Sequence, residues 1–175
     1  MKYKEEEFEL CDDFIDVGYM AENVVVSDFY GKKIELKRSH SDKAMTLFIS
    51  FPYASNGFLE EIFKIDAFMS HIEVPIYTYF IFNEKFEEQM ALKNRLLKFE
   101  MVFDVENEFG GMYGTKIANG SLENKLTKSL FLISKDGAIF YLDIPDDLSQ
   151  PLNLDRLQIE LNKAYMSYTG AGCHG

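Results

Sequence analysis

The chain has no tryptophan and only two cysteines, Cys11 and Cys173, among its 175 residues. Two cysteines in a chain of this length do not provide a disulfide framework, so a disulfide-stabilised secreted fold is excluded. The first seven residues lack the apolar stretch of a secretory signal, and no run approaches the roughly eighteen apolar residues of a membrane span. These absences predict a cytoplasmic protein that does not associate with membranes.

Positive charge is also scarce: 18 Lys and Arg stand against 29 Asp and Glu, and the formal net charge is −11 at pH 7. Phosphate recognition needs clustered basic side chains, so nucleic acid and anionic membrane surfaces are disfavoured as partners. Apolar residues are abundant: 47% are hydrophobic and 16 are Phe, which predicts a globular protein with a core rich in Phe and Tyr. We expect one domain over residues 1–169 and a flexible, glycine-rich tail over 170–175.

Strand-like apolar runs alternate with helical patterns along most of the chain. Phe8–Cys11 and Phe14–Val17 flank Asp12-Asp13 and predict a small N-terminal hairpin. The other predicted strands are Val24–Val26, Ile34–Leu36, Met45–Phe51, Ile76–Phe82, Met101–Phe103, Ser129–Ser134 and Ala138–Asp143. Helices are predicted from about residue 58 to 69 and at Glu84–Lys98, Glu106–Tyr113 and Leu154–Ser167. This order predicts an α/β protein with a mixed sheet and helices on both faces.

The loop between Met45–Phe51 and the first of these helices is built like a site for a reactive thiol. Pro52 ends the strand, and Asn56 is a good N-cap for the helix that follows. The free N–H groups and positive dipole of a helix N-terminus lower the pKa of a cysteine in the first turn. Here the first turn reads Gly57-Phe58-Leu59-Glu60, and it contains no cysteine.

Several motifs, in their order and spacing, resemble those of the bacterial thiol peroxidase branch of the peroxiredoxins. The resemblance implies a thioredoxin-like, peroxiredoxin-type fold with an N-terminal β-hairpin, and it covers nearly the whole chain. Leu10 through Ala21 resembles the hairpin of that branch. The matching motifs are Val17–Val24 for "VGDxAPDF", Phe109–Gly114 for "FGxxYGV", Leu126–Gly137 for "LLARAVFVLDxxG", and Ile144-Pro145 with Gln150-Pro151 for "VPEITxEP".

The catalytic residues of that family do not carry over. Its peroxidatic motif, Pro-x-x-x-Thr-x-x-Cys, falls on Pro52, Asn56 and Leu59, of which only the proline agrees. Its resolving cysteine falls on Ala91 or Leu92, and its active-site arginine aligns with Lys128, which keeps the charge but lacks the planar guanidinium. Leucine cannot form a sulfenic acid, so the family mechanism of peroxide reduction is not available at Leu59.

Two hypotheses follow from this resemblance. The first is a thiol-peroxidase-like protein without peroxidase activity, which acts by binding a protein partner or a small polar ligand and forms the homodimer that the resemblance implies. Its ligand pocket would be the helix N-terminus at Asn56 and Gly57, with Tyr53, Ser55 and Lys128 nearby. The same space could instead be filled by Phe58 and Leu59. The second hypothesis is a divergent thiol oxidoreductase.

The second hypothesis depends on the tail thiol Cys173, since the neighbouring His174 could lower its pKa. An inert tail is the alternative interpretation. Cys11 is expected to be a half-buried apolar residue of the N-terminal hairpin. A metal site is not expected, because His40 and His71 lack ligand spacing to Cys173-His174, and no cofactor motif occurs.

Overall fold

The computed structural model describes residues 1–55, 57–85 and 89–167, and it contains a two-stranded and a seven-stranded sheet. The strands are β1 (Lys2–Tyr3), β2 (Glu6–Glu7), β3 (Val24–Ser27), β4 (Lys33–Leu36), β5 (Met45–Ser50), β6 (Ile76–Phe82), β7 (Glu100–Phe103), β8 (Ser129–Ile133) and β9 (Ile139–Asp143). The helices are α1 (Leu59–Ser70), α2 (Gln89–Arg95), α3 (Glu108–Tyr113) and α4 (Leu154–Ser167). Within the described ranges, no helix has both the length and the apolar character needed to cross a membrane.

The large sheet is mixed, in the order β4-β3-β7-β6-β5-β8-β9. Strands β5, β6 and β7 run parallel to one another, and the outer strands pair antiparallel. All six residues of β5 are buried, as expected for a central strand that is covered on both faces.

Alternating side chains of β5 face two different cores. Leu47 and Ile49 belong to the larger core, to which α1 and α4 contribute, whereas Phe48 belongs to the core that α3 covers. The period of two along the strand places successive side chains on opposite faces. Helices therefore lie on both faces of a mixed sheet, and the predicted fold class is confirmed.

The N-terminal hairpin lies nearer the chain start than predicted. It consists of β1 and β2, which pair Lys2 with Glu7 across a turn that contains Lys4 at φ = 57°. The predicted hairpin over Phe8–Val17 is wrong, because that segment is hydrogen-bonded to the rest of the fold: the Cys11 N–H donates to the Lys116 carbonyl at 2.8 Å. Cys11 is exposed, so its predicted half-buried position is wrong as well.

Helix α2 is shorter than the predicted Glu84–Lys98: Glu84 and Lys85 lie outside it, and it ends at Arg95. The buried carboxylate of Asp66 on α1 explains why the helix does not continue. It accepts the backbone N–H groups of Leu97, Lys98 and Phe99 at 2.7–3.0 Å. These amides turn towards α1, so they cannot bond within α2.

Candidate functional site

The loop that leads from β5 into α1 follows the predicted course up to the start of the helix. Pro52 and Ala54 are buried, and Gly57 has φ = 97°, a conformation that glycine adopts without steric cost. The N-cap of α1 is Phe58, whose side chain makes no capping hydrogen bond. The prediction that Asn56 caps this helix is therefore wrong, and Asn56 itself lies outside the described residues.

Leu59 is the first residue of α1, so it occupies the turn in which a thiol would have its pKa lowered. Its side chain is half-buried and packs against the larger core. Glu60 and Glu61 follow in the same turn, where the positive end of the helix dipole stabilises carboxylates. The start of α1 therefore carries a hydrocarbon side chain and two acids.

An aromatic cluster fills the space beside this helix start. Phe58 is 1% exposed. Its ring centroid lies 5.1 Å from that of Tyr3 on the hairpin, 5.1 Å from that of Tyr53 and 5.8 Å from that of Phe51. Aromatic pairs at such distances stabilise beyond the area that they bury. The N-terminal hairpin thus covers the loop through Tyr3.

Lys128 lies beneath this cluster and is almost completely buried, at 1% exposure. Its ammonium forms an ion pair with a carboxylate oxygen of Glu61 and donates to the Gln150 carbonyl at 2.8 Å. The other Glu61 oxygen accepts the Leu152 N–H at 2.7 Å. The Lys128 nitrogen also lies 5.4 Å from the centroid of the Phe58 ring. Lys128 is therefore near the predicted site, but its charge is compensated inside the protein.

The predicted pocket residues are only partly brought together. Tyr53 and Ser55 are half-buried and Gly57 is exposed on the loop, whereas Lys128 lies below the aromatic cluster. Burial and a hydrogen bond to Tyr3 raise the pKa of Tyr53 to about 12, so this phenol stays protonated at neutral pH. Tyr53 lines a cleft of about 430 Å³ together with the hairpin, which contributes Glu5 and Glu6. Lys4 lines the cleft as well, so the hairpin contributes two acids and one base, a balance that disfavours an anionic ligand.

A larger groove, of about 700 Å³, runs along α1 next to the predicted pocket. One wall is a face of α1 from Glu61 onward together with His71 just after the helix, and the other is the segment Pro151–Asp155, which leads into α4. Sequence reasoning missed this groove, because no local pattern indicates that residues 151–155 pack beside α1. The Glu61–Lys128 pair was missed for the same reason, since the two residues are 67 positions apart.

The remaining predicted positions concern the resolving cysteine, the two thiols and a metal site. Ala91 and Leu92 lie on α2, where Leu92 is buried, and Cys11 is exposed at the surface. Cys173 and His174, the predicted redox thiol and its neighbour, fall outside the described residues. In the part of the chain that the structure describes, no group of three or more His, Cys, Asp or Glu side chains could hold a metal ion.

Solved structures of other proteins share this architecture. A peroxiredoxin-like protein from Aquifex aeolicus has a TM-score of 0.80 at 18% identity, with 90% of this chain and 92% of that one covered. A thiol peroxidase from Chromobacterium violaceum has a TM-score of 0.82 at 14% identity, with 94% and 96% covered. The mitochondrial 2-Cys peroxiredoxin from Plasmodium falciparum has a TM-score of 0.66 at 14% identity, with 88% and 96% covered.

No protein-family model matches this chain, and no curated protein sequence does. The likeness therefore concerns the fold, which is thioredoxin-like and of the peroxiredoxin type.

Proposed function

We propose that this chain is a thiol-peroxidase-like protein that does not reduce peroxide by the family mechanism and acts by binding a partner or a small ligand. The observation that carries the proposal is Leu59. It occupies the first position of α1, where the sequence resemblance puts the peroxidatic cysteine. A leucine side chain can neither attack a peroxide oxygen nor accept one.

The surroundings of Leu59 support the same conclusion. A thiolate needs neighbouring positive charge and access to solvent. Lys128 has 1% of its side chain exposed, and its ammonium is already paired with Glu61. Phe58 and Tyr3 cover the loop where a peroxide would approach. The start of α1 is thus arranged for packing.

The proposed ligand surface combines the loop with the groove beside it. It includes the described loop residues Tyr53, Ser55 and Gly57 and extends along α1, with Asn56 added from the sequence prediction alone and Lys128 buried nearby. The volume of the groove, about 700 Å³, lies within the range of small-molecule sites. Apolar side chains and polar groups line it together, as is usual for such sites.

We further propose that the protein works in the cytoplasm as a homodimer. The peroxiredoxin-type fold and the sequence resemblance support this assembly. The low cysteine content is compatible with a reducing compartment.

The test is peroxide consumption, measured with hydrogen peroxide and with an alkyl hydroperoxide in the presence of dithiothreitol. We expect the native chain to show no turnover above that of the reductant alone. The variants Cys11→Ser and Cys173→Ser should give the same background rate, because neither residue belongs to the first turn of α1.

Turnover that is clearly above background and disappears in Cys173→Ser would contradict the proposal and support the divergent oxidoreductase. Turnover that disappears in Cys11→Ser would also contradict it and would assign the reaction to the exposed thiol. A folded control is provided by circular dichroism of each variant.

A further inference from the structure

The segment from Asp12 to Met20 is nearly all exposed, yet it is held against the fold by its backbone. The Ile15 N–H donates to the Tyr113 carbonyl at 3.1 Å, and the Gly18 N–H donates to the Ile139 carbonyl at 2.9 Å. The side chain of Ile15 packs on the core beneath α3. The segment therefore presents its other side chains outward in a defined position.

Four large apolar side chains of this segment face solvent: Phe14 is 41% exposed, Val17 50%, Tyr19 67% and Met20 46%. Met112 at the end of α3 is 46% exposed. We call these five residues the apolar patch. Large apolar side chains that are concentrated on an ordered surface are typical of protein interaction sites.

The segment passes so close to the end of α3 that Gly114 cannot carry a side chain. A Cβ atom at Gly114 would collide with the Asp13 carbonyl oxygen and lie 2.5 Å from the Phe14 Cα. Gly114 also has φ = 72°, so an L side chain is disfavoured twice. This approach brings Phe14 next to the helix that carries Met112.

Carboxylates surround the apolar patch. Asp12, Asp13, Asp16 and Glu22 are exposed, and within the described residues none of the four takes part in an ion pair. Two cations lie near the margin: the Arg38 guanidinium donates to the Ala21 carbonyl at 3.1 Å, and the backbone of Lys116 bonds that of Cys11, next to Asp12. An apolar centre with unpaired acids around it is complementary to a partner that is apolar and basic.

We infer that the apolar patch is a docking surface for a partner protein that presents a basic segment with interspersed apolar side chains. The inference rests on the proposed function, because it names a partner for a protein that acts by binding. A second copy docked face to face would place Asp12, Asp13 and Asp16 against the same acids. An anionic membrane surface would be repelled by the same carboxylates.

The test uses a synthetic peptide of Leu and Lys, LKKLLKLLKKLLKL, and its charge-inverted counterpart, LEELLELLEELLEL, with the full-length native chain. Binding is measured by fluorescence anisotropy at two salt concentrations, and the contact surface is located by backbone amide chemical-shift changes. We expect the Lys peptide to bind, the Glu peptide not to bind, and the affinity to fall as salt rises. The shift changes should centre on residues 12–22 and the end of α3.

Two sets of variants separate this surface from general attraction to an acidic protein. Val17→Ser with Tyr19→Ser removes two apolar contacts, and Asp12→Asn with Asp13→Asn and Asp16→Asn removes three charges. Each set should weaken binding about tenfold or more. The matched controls are Leu97→Ser with Ile159→Ser, which are 74% and 51% exposed elsewhere, and Glu5→Gln with Glu7→Gln and Glu73→Gln.

Equal losses of affinity in the test and control variants would overturn the inference, because peptide binding would then depend on the net charge of the protein alone. Absence of binding would overturn it as well. Dissociation of a native dimer by the Val17→Ser, Tyr19→Ser variant, measured by sedimentation, would assign the apolar patch to a second copy and would also overturn it. None of these results bears on peroxide turnover, so failure here is distinguishable from failure of the proposed function.

Discussion

The first turns of α1 and α3 differ in what the nearby carboxylate binds. At α3, the buried carboxylate of Asp104 accepts the Phe109 N–H at 2.9 Å and the Gly110 N–H at 2.8 Å. Neither N-cap residue, Asn107 at α3 or Phe58 at α1, makes a side-chain capping hydrogen bond. The carboxylate of Glu61 lies in the first turn of α1, but it bonds Lys128 and the Leu152 N–H.

This difference shows two ways to stabilise a helix start. An anion that faces the helix N–H groups satisfies them directly and complements the dipole. At α1 the acid makes a tertiary contact that joins the helix to the residue before β8 and to the segment before α4. We therefore expect α1 to depend on a buried ion pair and α3 on the Asp104 carboxylate. Removal of these two interactions should lower the free energy of unfolding by different amounts.

The largest effect is expected for Lys128→Met, which leaves Glu61 without its cation in a poorly solvated position. Removal of one partner of a buried pair typically lowers the free energy of unfolding by about 3–5 kcal/mol. Urea denaturation followed by circular dichroism measures the loss. The matched control is Lys33→Met, because Lys33 pairs with Glu106 at 2.7 Å but is 67% exposed. Exposed pairs contribute little, so this variant should unfold like the native chain.

The double variant Lys128→Met, Glu61→Gln tests whether the loss of stability comes from the broken charge pair or from changed packing around the Lys128 side chain. We expect it to recover part of the lost stability, since no unpaired charge then remains. A double variant that is less stable than both single variants would contradict the assignment. It would mean that the packing of the Lys128 chain against Phe51 and Phe58 matters more than its charge.

Sequence reasoning located the elements better than the contacts between them. The bounds of β6 and α4 agree with the predicted Ile76–Phe82 and Leu154–Ser167, because a buried run and an amphipathic period are local signals. The hairpin was placed too late, since its residues pair in a two-stranded sheet without an apolar pattern.

At the candidate site, the same limitation explains what was found and what was missed. The absence of a thiol can be read from one residue, Leu59, within a local motif. The contact of Tyr3 with Phe58 and the pairing of Lys128 with Glu61 join residues that are distant in sequence. A single sequence contains no periodicity that reports such pairs.

A smaller effect is expected at α3 for Asp104→Asn. The amide oxygen can still accept one N–H, but its NH2 group faces the second donor. A buried hydrogen bond lost in this way lowers the free energy of unfolding by about 1–2 kcal/mol. The contribution of Asp104 to stability should also depend on pH. Burial raises the pKa of Asp104 above its usual value, and this effect exceeds the opposite effect of the Gly110 and Phe109 N–H groups.

The sign of this pH dependence follows from proton linkage. The folded state holds the Asp104 proton more tightly than the unfolded chain, so the contribution of Asp104 to stability is greatest in acid. It falls as pH rises from the ordinary aspartate pKa through the raised one. The stability difference between the native chain and Asp104→Asn should therefore be larger in acid than at neutral pH. A difference that grows with rising pH would contradict the raised pKa.

The smallest effect is expected where the family resemblance suggests the largest, at Leu59→Cys. The variant also carries Cys11→Ser and Cys173→Ser, so that the introduced cysteine is the only thiol in the protein. The start of α1 should lower the pKa of this thiol, but Glu60 and Glu61 oppose that effect and Lys128 is already neutralised. We expect a pKa close to the ordinary value of about 8.5, measured by the pH dependence of alkylation, and almost no peroxide turnover.

Adding Glu61→Gln to the Leu59→Cys variant sharpens the comparison with α3. Glutamine leaves the ammonium of Lys128 without a counter-ion, so the pKa of the new thiol should fall relative to that in the variant with Glu61 intact. If Leu59→Cys without this change already had a strongly lowered pKa and reduced peroxide rapidly, the ion pair would not be what neutralises the helix start. The helix start of α1 would then differ from an active one by a single side chain.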